Sequence, residues 1–202
     1  ASGARVGMMR REQFPDYKGD EEFNYTMVVI FPDNQLKIFD YNRVVIDLNG
    51  NTTEEFFQKV GEKWDIEEVP AGKDFAPSRM HQVSMYIEGK WYFISPKKGT
   101  WNEEDVVDNL DVSILQNNLL QPILGIDDPR TCNRIDFVGG IRGLGELVNR
   151  VDSGREKVAF AMYATSMDQL LSVADAGRIM PPKSTWFEPK LRSGLFIHLL
   201  DD

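Results

Sequence analysis

RIDFVGGIRGLGELVNRVDSGREKVAFAMY, residues 134–163, is the stretch that decides the fold class. Residues 134–138 read as a strand, a glycine-rich turn follows, and residues 144–151 read as a helix. Residues 157–163 read as a second strand, and residues 166–176 as a second helix with Ser166 at its cap and Asp168 in its first turn. Gly154 and Gly177 stand where helix ends favour glycine. A strand, helix, strand, helix succession puts both strands in one sheet through a right-handed crossover.

Moving outward from this stretch, the pattern changes to hairpins. Residues 83–94 (VSMYIE, a Gly89-Lys90 turn, then WYFI) read as two strands folded back on each other. Residues 111–120 read as a helix ending before Pro122, and 65–79, with Pro70, Gly72 and Pro77, as a mobile loop. Thr52 or Thr53 caps a helix with Glu54 or Glu55 in its first turn and Phe56, Phe57, Val60 and Trp64 along one stripe. Residues 42–48 read as extended, and so does the apolar run 23–31 (FNYTMVVIF), expected as a central strand with residues 36–39 returning as its hairpin partner. A short helix is expected to end near Gln13, and residues 195–200 (LFIHLL) to close the sheet. The fold class expected is α+β: a mixed sheet with hairpins in the first half and a βαβα-type succession in the second. With 202 residues the chain reads as a single α+β domain or fragment, with a sub-boundary near 95–105.

Composition narrows the function. A net charge of −9 argues against general nucleic-acid binding, which needs clustered Lys and Arg. No apolar run has the length of a membrane helix, and a single cysteine, Cys132, leaves no internal disulfide and suits a reducing cytoplasm. The start, ASGAR, has neither an initiator Met nor a signal pattern, and reads as cut from something longer.

Against this acidic background residues 178–192 stand out. Arg178, Lys183, Lys190 and Arg192 face the lone anion Glu188 there. The prolines of MPPKSTWFEPKL, residues 180–191, stiffen the backbone. Lys183, Ser184, Thr185 and Lys190 are therefore the candidate anion-binding groups, and Glu188 is a base or an orienting carboxylate. A surface loop pinned by Trp186 and Phe187 fits the same residues equally well. The turn Gly139-Gly140 with Arg142 offers backbone N–H groups to a phosphate, or glycines needed only for a tight turn. It matches neither GxGxxG nor GxxxxGK[ST]. His81 and His198 have no metal-ligand spacing, so no metal site is expected.

Residues 31–45 (FPDNQLKIFDYNRVV), 124–130 (LGIDDPR), 135–143 (IDFVGGIRG) and above all 180–196 (MPPKSTWFEPKLRSGLF) resemble the C-terminal half of the bacterial and archaeal family called domain of unknown function 1015. The resemblance spans essentially the whole chain. It implies a preceding half ending in an Asp-Gly-His-His-Arg motif similar to one in the ParB and sulfiredoxin superfamily, which includes a free-serine kinase. That motif is missing from this chain, which implies a fragment that binds without catalysing. Two functions are carried forward. One is part of a cytoplasmic phosphotransferase-like enzyme that handles a phosphorylated or anionic small molecule, with a nucleotide and Mg as the cofactor. The other is a non-enzymatic ligand-binding or protein-interaction module.

Overall fold

The computed structural model describes residues 2–73, 75–190, 192 and 194–200. The chain divides into two compact units, a smaller one of residues 1–36 with 189–202 and a larger one of residues 37–188. Residues 95–105 lie inside the larger unit.

The smaller unit begins with helix α1 (Ser2–Gln13), which ends where the two arginines of its last turn favour an end. Its glycines serve close packing. A Cβ on Gly7 would stand 3.1 Å from the Phe23 carbonyl oxygen, and one on Gly3 3.0 Å from the Thr26 hydroxyl. The run expected as a central strand is not one. Residues 22–24 form a 3-10 turn, and residues 25–32 continue without strand pairing, with Ile30 89% exposed. The propensity is present, but no neighbouring strand supplies the ladder that propensity needs. Residues 195–200 likewise form no strand.

The larger unit opens with β1 (Lys37–Phe39) and β2 (Tyr41–Val45), then α2 (Thr53–Lys63) running directly into β3 (Trp64–Glu68). Thr52 caps α2 in a full capping box with Glu55, so local chemistry alone fixes this start. β3 falls in the segment expected as a loop. Next come β4 (Val83–Ile87) and β5 (Lys90–Pro96). Their turn is Glu88-Gly89, one residue earlier than expected, because both take positive φ (50° and 78°) and Lys90 already pairs with Ile87. α3 (Asp111–Leu115) continues as a π-helical turn, Gln116–Leu120. β6 (Ile135–Gly139), α4 (Gly145–Asp152), β7 (Val158–Ala161) and α5 (Met167–Asp175) give the expected alternation, and β8 (Trp186–Glu188) follows.

Six strands form one sheet in the order β3-β5-β4-β7-β2-β6, every neighbouring pair antiparallel. β6 and β7 therefore share the sheet and run parallel, with β2 between them. One face carries the main core, where Val45, Met85, Phe160 and Ile94 meet Phe56 and Val60 of α2 and Leu115 and Leu119 of the α3 segment. The opposite face packs Val44, Val138, Ala159 and Ala161 under Leu147 and Val151 of α4. β1 pairs not with residues 23–31 but with β8, as a two-stranded ribbon in which Lys37 meets Glu188 and Phe39 meets Trp186. The result is an α+β fold, as the sequence implies.

Candidate functional site

Side chains alternate across a strand, so Tyr41, Arg43 and Val45 of β2 share a face with Phe137 and Ile135 of β6, and Arg43 lies directly opposite Phe137. Val45 and Ile135 enter the main core; Arg43 stands where that core gives way to a cavity. It is 3% exposed. Its guanidinium donates to the carbonyls of Tyr41 and, at 3.0 Å, of Lys183, and lies 5.6 Å from the centre of the Phe137 ring. Among the described residues it meets no carboxylate. Burial pulls its pKa down to about 10, which still leaves it charged at neutral pH.

The proline-rich loop is built over this arginine. Lys183 has a φ of +54°, a left-handed conformation that costs about 1–2 kcal/mol for a residue with a side chain. Its carbonyl turns to Arg43. Its ammonium lies 3.3 Å from the Tyr41 hydroxyl and 5.2 and 5.8 Å from the ring centres of Tyr41 and Phe137. Ser184 is buried, and its carbonyl accepts a hydrogen bond from the Thr165 hydroxyl at 3.1 Å. Trp186 packs edge-on against Tyr41 at 5.3 Å and donates its indole N–H to Glu188 at 2.7 Å. Glu188 therefore orients an indole.

The glycine turn is explained by crowding. A Cβ on Gly139 would stand 2.3 Å from the Trp186 ring, and one on Gly140 2.0 Å from the Asp40 carboxylate. The Gly140 N–H donates to the Asp40 carbonyl at 2.8 Å. Asp40 in turn accepts from Asn42, whose own side-chain oxygen takes the Met162 N–H. Glycine is required here because a carboxylate and an indole fill the space, and the Gly140 N–H is already taken by the Asp40 carbonyl. Arg142 is exposed on the 3-10 turn Gly140–Arg142, and Lys190 is exposed within the smaller unit. Of the residues expected at an anion site, the structure brings Lys183 against Tyr41, Gly139 against Trp186 and Gly140 against Asp40, while Ser184 turns its carbonyl to Thr165. Leu191, the last residue of the loop as read, lies outside the described residues.

A cavity of about 490 Å³ opens beside Arg43, lined among others by Phe137, Pro181, Pro182, Ser113, Gln116 and Asn117. The last two come from the π-helical turn, where the Gln121 N–H bonds the Gln116 carbonyl five residues back. Such turns swing side chains out of the regular helical register and recur at functional sites. Asp108, Asp127, Asp128 and Arg130 also line the cavity. Arg130 grips Asp128 at 2.8 Å and its hydrogen bonds hold that carboxyl down to about 2, so this pair neutralises itself. Among the described residues no group of three or more His, Cys, Asp or Glu is placed to hold a metal ion, so Mg is assigned no ligands here. No described helix is long and apolar enough to cross a membrane.

Sequence reasoning missed Arg43 and the π-helical turn. An arginine next to Val44 and Val45 in the strand run YNRVV was the available signal.

Among solved structures, the chain is similar to a free serine kinase in complex with AMP, at 14% identity and a TM-score of 0.47 over 80% of this chain and 57% of that one. It is similar also to a conserved hypothetical protein from Pyrococcus furiosus, at 13% identity and a TM-score of 0.48 over 80% of this chain and 60% of that one. It thus spans less than two thirds of the length of either. No curated protein matches it. The family described as Protein of unknown function (DUF1015) matches residues 1–113, more than half of the sequence, and the chain belongs to that family.

Proposed function

We propose that the larger unit binds a phosphorylated or otherwise anionic small molecule in the Arg43 cavity, as the ligand-binding part of a phosphotransferase-like enzyme. One observation carries this reading: a buried guanidinium, still charged, borders a cavity and is held by two carbonyls and an aromatic ring, with no carboxylate among its direct contacts in the described residues. Removing a cation from water costs several kcal/mol unless opposite charge compensates it. Carbonyl dipoles and a ring face return only part of that. An anion in the cavity returns the rest, and the planar fork of arginine suits phosphate or carboxylate oxygens. The strained Lys183 carbonyl and the wall of Pro181 and Pro182 hold the fork ready, so little ordering remains to be done when the ligand arrives. The ammonium of Lys183, on Tyr41, and Ser184 and Thr185 lie outside the residues that line this cavity. On this reading the acid–base groups of the reaction come from the family's Asp-Gly-His-His-Arg motif, outside this chain.

A thermal-shift screen with pyrophosphate, nucleotides and phosphoserine tests the binding step. At a ligand concentration a hundred times Kd, about 2.7 kcal/mol of stabilisation is expected. Arg43→Met is expected to abolish that shift while leaving the ligand-free protein as stable or more so, since it removes an uncompensated buried charge of similar volume. A hit retained in full by Arg43→Met would remove the cavity from the function.

A further inference from the structure

The smaller unit holds most of the exposed large apolar side chains, yet among its described residues Phe23 is the only buried apolar one. One exposed run is residues 25–31, YTMVVIF, with Met27 53%, Val28 68%, Val29 54% and Ile30 89% exposed. Odd and even positions from Met27 to Ile30 are open alike, so neither face of that stretch is covered. The run enters extended at Tyr25 (φ −108°, ψ 161°). Among the described residues, no backbone hydrogen bond involves residues 26–31. Seven uncharged residues without Gly or Pro, all but Met27 β-branched or aromatic, are the composition that pairs into sheets, and among the described residues the amides and carbonyls of 26–31 stand unpaired.

We infer that residues 25–31 are a docking strand, which adds edge-to-edge to a partner's β-strand that is apolar over a similar length and bounded by Lys or Arg. The flanks select this partner. Exposed Asp20 and Glu22 precede the run and exposed Asp33 follows it. In an antiparallel pair with a second copy centred on Val28, the acidic 3-10 turn at Glu22–Asn24 of one copy would come to the end where the 3-10 turn Asp33–Gln35 of its mate begins, so carboxylates would crowd carboxylates at both ends. Like charges across a pair destabilise it, whereas cationic flanks turn the same positions into cross-strand attractions. The inference is independent of the Arg43 cavity, which lies in the other unit.

Amide hydrogen exchange on the full chain tests it, with a Val/Thr-alternating synthetic peptide bounded by lysine pairs as the probe. The peptide is expected to slow exchange at residues 26–31 by about tenfold or more. The same peptide bounded by glutamates should slow it far less. Val29→Pro, which deletes one ladder N–H, should abolish the effect, and Val29→Thr, which keeps it, should retain it. Slow exchange already present in the peptide-free monomer would overturn the inference. So would slowing that grows with protein concentration alongside a dimer in light scattering, no slowing by the lysine-bounded peptide, or equal slowing by both peptides.

Discussion

The two units are made of equally apolar material and treat it in opposite ways. In the larger unit Phe160, Met85, Ile94, Leu115 and Phe56 are sealed between a six-stranded sheet and its helices. In the smaller unit a stretch of comparable hydrophobicity, residues 27–30, lies open to water. The difference lies not in composition but in pairing. β2 finds antiparallel neighbours on both sides, so its alternate residues are buried on two faces at once, whereas residues 25–31 have no ladder. Apolar side chains become a core only when backbone hydrogen bonding holds them in register against another layer.

The comparison can be broken by substitution, most sharply in the main core. Phe160→Ala is expected to cost about 3–5 kcal/mol by denaturant unfolding, as a large buried ring gives way to a cavity. Phe23→Ala should leave the principal transition in place. If the two variants moved that transition equally, the units would share one cooperative core. Gly139→Ala should cost about 2 kcal/mol by driving the Trp186 ring from its seat, with a red shift of tryptophan emission.

A third test uses pH. Burial raises the Asp111 carboxyl to about 6, against the opposing pull of the His81 backbone N–H, which donates to it at 2.9 Å. A raised carboxyl pKa means the folded state holds the proton more tightly than the unfolded one. Its contribution to stability is therefore full below the ordinary carboxyl value near pH 4 and is lost as pH rises through about 6. Asp111→Asn should remove about 2 kcal/mol of that slope, read as the difference between wild-type and variant unfolding curves from about pH 4 to pH 7. The smallest effect expected is Thr52→Ala. Losing one half of the α2 capping box should cost about 1 kcal/mol and leave the smaller unit untouched.

What could be read from the sequence follows the same division. The Thr52 and Ser166 caps, the 83–94 hairpin and the alternation from residue 134 onward are visible because their causes lie within a few residues of each other. The pairing of β1 with β8 joins residues about 150 positions apart in sequence, as Lys37↔Glu188 records, and no local pattern announces it. FNYTMVVIF misleads for the same reason, since strand propensity is half of a strand and the partner is the other half. At the site, the lysine, serine and threonine of the loop can be listed from the sequence. The arginine beneath them cannot, because its burial depends on β6 and the loop closing over β2. Gly139 and Gly140 invite a phosphate reading as letters; Trp186 and Asp40 occupying their missing side chains is a fact of three dimensions.

The ribbon of β1 and β8 has a practical corollary. The larger unit begins at Lys37 and finishes at Glu188, and these two residues sit opposite each other in that ribbon. A polypeptide trimmed to this span has its ends a strand's width apart, so a short linker can join them and new termini can be opened elsewhere, for instance at the Glu88-Gly89 turn. Such circular permutants would let the larger unit, and the anion binding proposed for it, be studied by itself, freed from the apolar segment that otherwise invites aggregation.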